Sequence, residues 1–214
     1  MMGHTKEVAT AEMTPIQEAL NAITEFIWTA YTIIHGWILT NKATKGITVV
    51  RLGSIMTSSA AHLPFSFIYH TRQALRLGDD PMDNEWRRLD QAGINLACIL
   101  YCFGTSGSIW YSALALLFKF NHVIEIWHTT SNPGKRRIHI FMGAVMYLLP
   151  LWWFQHFKHF LIAFSCLIGG CLGFFLNKTL FFGYGSAIFH LCMIPYHKTI
   201  LSAIVTQSEG VLNL

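Results

Sequence analysis

Charged residues are scarce in this 214-residue sequence. Asp, Glu, Lys and Arg together make up 12% of it, whereas hydrophobic residues make up 53%. A soluble domain typically carries about 25% charged residues. The five cysteines all lie in apolar stretches and form no CxxC pair, which argues against a disulfide framework or a thiolate zinc site. No nucleic-acid-binding motif is present, so we expect no nucleic-acid partner. The composition predicts an integral membrane protein.

Seven apolar runs, separated by polar segments or turns, organise the chain. They cover residues 19–40, 47–69, 89–103, 108–127, 138–154, 157–176 and 180–205. Each is typical of a membrane-spanning helix with polar residues facing its neighbours. The sequence therefore predicts an all-α, polytopic domain of seven transmembrane helices over residues 19–206. A polar tail (1–18) precedes it and a short tail (207–214) follows. The first tail lacks the succession of basic, apolar and small residues that is typical of a signal peptide.

The distribution of Lys and Arg predicts the orientation of these seven crossings. With the N-terminus in the cytosol, the cytosolic segments hold Lys6, Arg72, Arg76, Arg87, Arg88, Lys135, Arg136, Arg137 and Lys178. The opposite side holds Lys42, Lys45, Arg51, Lys158 and Lys198, and Lys119 lies within a run. Because cytosolic loops of membrane proteins carry the excess of positive charge, we expect a cytosolic N-terminus. The segment around residues 128–139 reads as a loop with a Pro-Gly turn.

Four polar residues come to the cytosolic end of the predicted bundle. Ser66 and His70 are four apart and share a helix face, Asp90 begins the third run, and His190 lies near the start of the seventh. Ser58 and His62 repeat the Ser-x3-His spacing, which leaves a second pair open as an alternative. Asp90 also has a simpler interpretation, as a helix cap favoured by the helix dipole.

Three segments make the chain resemble the progestin and adipoQ receptor and hemolysin III family, which is related to the alkaline ceramidases. They are Ser66-x3-His70, LDQAGI at residues 89–94, and GSAIFH at residues 185–190. The segment QEALNAITE (residues 17–25) is similar to the family's opening, where His commonly stands in place of Glu25. The resemblance extends from residue 17 to residue 197 and includes the number of helices.

The resemblance implies a zinc ion held by three histidines in the cytosolic half of the bundle. His70 matches the first ligand and His190 the last, but Ser186 stands at the middle position. Asp90, His62 and His197 are possible substitute ligands; for the two histidines the alternative is an interhelical hydrogen bond. A hydroxyl is a poor zinc ligand, so the site is incomplete relative to the family.

Two functions follow from the resemblance. The first is a zinc-dependent intramembrane hydrolase of lipid amides such as ceramide, in which Asp90 would orient or deprotonate the zinc-bound water and Ser66 would bind the water or the oxyanion. The second is a non-catalytic seven-helix receptor or scaffold for membrane lipids or a lipophilic ligand. Ser186 favours the second, and the retained Ser66, His70, Asp90 and His190 favour the first.

Overall fold

Seven α-helices and no strands form the part of the chain that the structure describes, which confirms the predicted all-α fold. The structure is a computed structural model and describes residues 13–78, 80, 84–128, 133–177 and 181–210. The side chains of residues 128 and 133–137 are not described. The helices are α1 (Pro15–Lys42), α2 (Gly46–Ala74), α3 (Glu85–Ser106), α4 (Ile109–His128), α5 (Pro133–Trp153), α6 (Phe157–Phe175) and α7 (Gly185–Glu209).

Several helices extend beyond the apolar runs that predicted them, because polar residues cap them. The Thr14 side chain accepts a hydrogen bond from the backbone N–H of Gln17, and the Gln17 side chain accepts one from the backbone N–H of Thr14. α1 therefore begins before residue 19. Asn84 caps α3 in the same way, through the backbone N–H of Arg87. The predicted Pro-Gly loop is corrected as well: Pro133 begins α5, a position that suits its missing N–H.

The helices form a bundle in which α1 packs against both α2 and α7, and α6 packs against α7. α2 also packs on α3, which in turn contacts α5. α4 packs chiefly on α3 and touches α5 little. Consecutive long helices joined by short connections run antiparallel. The starts of α1, α3 and α7 and the end of α2 therefore lie at one end of the bundle.

Arg51 holds the opposite end of the bundle together. Its guanidinium donates hydrogen bonds to the backbone carbonyls of Gly104 and Thr105, both at 2.7 Å, and to the hydroxyl of Ser208 at 2.7 Å. Two of these bonds satisfy the hydrogen-bonding capacity of carbonyls at the C-terminus of α3. The third connects α2 to the last turn of α7. Gly107 ends α3 with a φ of +68°, as predicted for this glycine-rich turn.

The start of α7 is pressed against the end of α6. A Cβ atom added to Gly185 would lie 1.9 Å from the backbone oxygen of Gly173. This steric clash would force the two helices apart. Gly170 lies against Phe189 of α7, whereas a Cβ on Gly169 would meet nothing within 4 Å. Two of the three α6 glycines thus permit the close approach that sets the position of Ser186 and His190.

Many polar side chains are buried in the bundle beside its apolar core, and large apolar side chains line much of its outside. On α1 the buried residues include Asn21, Glu25 and Thr32, while Phe26 and Trp37 are exposed. Such a number of exposed large apolar side chains and buried polar ones is unusual for a protein surrounded by water. α6 and α7 are long and apolar enough to cross a membrane, with mean hydropathies of 1.6 and 1.3. Two such helices are weak evidence for crossing, since core helices of soluble proteins pass the same test.

Candidate functional site

Polar side chains from α1, α2, α3 and α7 meet inside the bundle at the end opposite Arg51. None of them is more than 9% exposed. We call this group the polar core; its members are Glu18, Thr24, Glu25, His62, Ser66, His70, Asp90, Ser186 and His190. Polar and ionisable groups buried this deeply need partners, because each unsatisfied group costs several kcal/mol in an apolar medium. The carboxylates and imidazoles of the polar core are partners of one another.

Glu25 lies at the centre of the polar core. One of its oxygens, Oε1, is 3.3 Å from Nδ1 of His62, and the other, Oε2, is 3.2 Å from Nε2 of His190. Trp28, one turn later on α1, donates a hydrogen bond to Oε2 at 3.0 Å. Oε1 has no aligned hydrogen bond, so the histidine contacts are ion-pair contacts. Glu25 thereby links α1 to both α2 and α7.

His62 bridges two carboxylates. Its Nε2 lies 2.9 Å from Oδ1 of Asp90, and its Nδ1 faces Glu25. Ionised carboxylates only accept hydrogen bonds, so this arrangement suits an imidazolium that presents an N–H on each side. Asp90 therefore acts as an interhelical partner of α2. The cap of α3 is Asn84, which removes the cap interpretation of Asp90.

His190 and His70 also have partners on α1. Nδ1 of His190 is 3.0 Å from the hydroxyl of Thr24, which itself donates to the Leu20 carbonyl at 2.7 Å. That hydroxyl must then accept from Nδ1 of His190, while Nε2 of the same ring faces Glu25. Nδ1 of His70 lies 2.6 Å from Oε2 of Glu18. The His70 and His190 rings are 6.2 Å apart, so the structure brings these two predicted ligands together.

His197 belongs to a neighbouring network. Its Nδ1 donates to the Met193 carbonyl at 2.7 Å, and its Nε2 accepts from the Tyr101 hydroxyl at 2.7 Å. Tyr101 also contacts the hydroxyl of Ser59 at 2.7 Å. The ring stacks on Trp28 at 4.7 Å, which joins this network to Glu25. Both nitrogens of His197 are thus occupied, as the interhelical hydrogen-bond alternative predicts.

The donor set does not fit the three-histidine zinc site that the resemblance implies. Ser186 places a buried hydroxyl where the middle ligand is expected. Within the described residues, three His, Cys, Asp or Glu ligand atoms all lie within 4.8 Å of one another at only one place, which is elsewhere in the molecule, between α4 and α5. The histidines of the polar core instead face carboxylates or a hydroxyl. We therefore derive no reaction step through zinc.

Sequence reasoning named the members of the polar core on α2, α3 and α7 and missed the contacts made by those on α1. The spacings on α2 and α7 indicated Ser66, His70 and His190, but the pairing roles of Glu18 and Glu25 were not predicted. These two glutamates are seven residues apart on α1, a spacing that puts them on one stripe and that the sequence alone reveals. No family model, no curated protein and no solved structure matches the chain.

Proposed function

We propose that the chain crosses a membrane seven times, with its N-terminus in the cytosol, and is of the progestin and adipoQ receptor and hemolysin III type. The many exposed large apolar side chains, together with the buried polar residues, support this proposal. In α1 and α2, buried polar residues such as Glu25, Arg51 and His62 interrupt the apolar sequence. On this topology the polar core lies in the cytosolic half of the membrane.

The function that the geometry supports best is that of a receptor or scaffold for membrane lipids. The observation that carries it is the mutual pairing of the core: Glu25 contacts His62 and His190, Asp90 contacts His62, and Glu18 pairs with His70. Such a set stabilises the packing of four helices within the membrane. With Ser186 in place of a third imidazole, it lacks the ligands that activate a water molecule in the related hydrolases.

The lipid that suits this site carries hydrogen-bonding groups close to its hydrocarbon chains. Ser66 and Ser186 place two hydroxyl groups among the charged side chains, and a hydroxyl can donate to a lipid amide carbonyl or accept from its N–H. A ceramide-like lipid offers both an amide and hydroxyl groups. We expect it to bind with its polar head towards the core and its chains among the exposed apolar side chains.

A photoreactive ceramide analogue tests this function. The purified full chain, in lipid nanodiscs, is expected to crosslink to the analogue without releasing the amine product, as measured by mass spectrometry. Ser66→Ala and Ser186→Ala should each reduce crosslinking several-fold, whereas Ser202→Ala, at the other end of α7, should not. Amine release that requires added zinc and is lost in His190→Gln would overturn the receptor proposal in favour of the zinc hydrolase.

A second candidate function, amide hydrolysis without metal, is favoured by the contact between His70 and Glu18. This hydrogen bond at Nδ1 leaves Nε2 of His70 to act as a base towards Ser66, one turn earlier. The Ser66 oxygen would attack the amide carbonyl while His70 takes its proton and passes it to the departing amine; water would then hydrolyse the acyl ester. The Ser58 and His62 pair lacks such a nitrogen, because both nitrogens of His62 face carboxylates.

A fluorophosphonate probe, which labels activated serines, separates this candidate from the receptor. Labelling that is lost in Ser66→Ala and in Glu18→Gln, but retained in Ser58→Ala, would establish a serine hydrolase. The Ser58 variant is a matched control, because it removes a hydroxyl from the same helix, four residues before a histidine. Absence of labelling in the wild type, under conditions in which a known membrane serine hydrolase reacts, would remove the candidate.

A further inference from the structure

A second group of potential ligands lies between α4 and α5, outside the polar core. It consists of His122 and Glu125, one turn apart on α4, and His139 on α5. One coordinating atom from each residue lies within 4.8 Å of the others. The two imidazole rings stack with their centroids 3.9 Å apart and their planes at 7°. His122 is buried, and the other two side chains are half-buried.

His122 lacks a hydrogen-bond partner for one of its nitrogens. Its Nδ1 is buried, forms no hydrogen bond with the described residues, and lies 3.6 Å from Oε2 of Glu125, beyond hydrogen-bonding distance. Buried polar atoms of side chains are nearly always satisfied, so an atom left in this state calls for an explanation. A metal ion between the three side chains would provide one, since the nitrogen lone pair would then be used in coordination.

We propose that His122, Glu125 and His139 bind a divalent transition-metal ion of the zinc class. Two imidazoles and one carboxylate form a known donor set for zinc, with a fourth position open to water. Rotation of the rings about χ2 would turn a nitrogen of each towards the ion. On the proposed topology this site lies near the cytosolic face, at the end of α4, so the ion would come from the cytosol. The proposal does not depend on the receptor function.

Lys119 lies one turn before His122. It affects both the packing of α4 against α5 and the affinity of the site for a cation. Its ammonium donates a hydrogen bond to the backbone carbonyl of His139 at 2.5 Å, which holds α5 against α4 at this level. A nearby positive charge weakens cation binding, and the carboxylate of Glu125 offsets it. Since α4 otherwise contacts α5 little, a bound ion would join the two helices. The expected role is therefore structural.

Metal analysis of the full chain, purified in detergent without a metal-binding tag, tests this proposal. After dialysis against zinc, the wild type should hold one ion per chain and melt at a higher temperature than in chelator. His122→Gln, His139→Gln and Glu125→Gln should each weaken zinc binding at least tenfold and abolish the zinc-dependent rise in melting temperature. His35→Gln on α1 and His190→Gln in the polar core are the controls, and both should retain the ion.

The three substitutions and two controls leave no ambiguous outcome. Each variant is compared in chelator with the wild type, so a general loss of folding appears as a lower melting temperature without zinc. If one of the three variants fails to fold, the other two decide the result. Zinc that is retained in the α4 and α5 variants but lost in His190→Gln would place the ion in the polar core and overturn the proposal. Failure of the wild type to bind zinc would overturn it equally.

Discussion

Glu25 provides the sharpest test of the polar core, because it contacts side chains from two other helices. In Glu25→Gln the volume is kept and an oxygen remains to accept from Trp28, but the negative charge between His62 and His190 is removed. The substitution weakens the charge-assisted hydrogen bond from Trp28, a type of bond that contributes about 1.5–3 kcal/mol, and it removes the two ion-pair contacts. We expect Glu25→Gln to lower the free energy of unfolding by about that amount, and Glu25→Ala by about 3–5 kcal/mol, since it leaves two buried imidazoles uncompensated.

A double-mutant cycle isolates the contact between Glu25 and His62. The single variants Glu25→Gln and His62→Gln and the double variant are unfolded reversibly in mixed detergent micelles and followed by circular dichroism. We expect a coupling free energy of about 1 kcal/mol or more, above the average of about 0.6 kcal/mol for interhelical hydrogen bonds in a membrane. Glu85→Gln, at an exposed position in the first turn of α3, is the control and should change stability by less than about 0.5 kcal/mol. Additive effects of the two substitutions would refute the pairing.

Two further substitutions test packing and the incomplete zinc site. Gly185→Ala should destabilise the chain by about 3 kcal/mol or more, because its Cβ would lie 1.9 Å from a backbone oxygen of α6. Gly169→Ala is the control and should be tolerated, because its Cβ would meet no atom within 4 Å. Equal melting temperatures of the two variants would contradict the close contact between α6 and α7. Ser186→His, in a chain lacking the α4 and α5 ligands, adds an imidazole four residues before His190 and should create a zinc site. Zinc at about 100 times its Kd would then raise the free energy of unfolding by about 2.7 kcal/mol, and an unchanged thermal melt would show that the resemblance does not extend to this position.

The seven helices could be predicted from the sequence because each contains one apolar run. Their ends could not, since hydropathy falls at the first polar turn whereas a helix continues until its cap. α1 begins at Pro15 and not at residue 19 because Thr14 and Gln17 satisfy its first backbone N–H groups. α2 likewise extends past residue 69 to Ala74. Capping side chains and local hydrogen bonds determine where each helix begins and ends, and a mean hydropathy does not detect these interactions.

The sequence indicated most residues of the site, but contacts between them were predictable only where the spacing is local. Ser66 and His70 are one turn apart, so sequence alone places them on one face of α2. The contact of His62 with Asp90 joins residues 28 apart, and that of His70 with Glu18 joins residues 52 apart. Such pairs depend on how α1, α2 and α3 rotate against one another. The ligands between α4 and α5 were missed for the same reason, since they come from two helices.

Accessibility of the helix connections from each side of the membrane tests the central claim of seven crossings most directly. In a variant without the five native cysteines, single cysteines are introduced into the connection between α2 and α3 (residues 75–84) or between α1 and α2 (residues 43–45). Intact cells are then treated with a thiol reagent that does not cross membranes. The account predicts labelling of the residue 43–45 connection and protection of the residue 75–84 connection until the cells are permeabilised. The opposite pattern would contradict the orientation, and equal labelling of both connections would contradict the crossing of α2 itself.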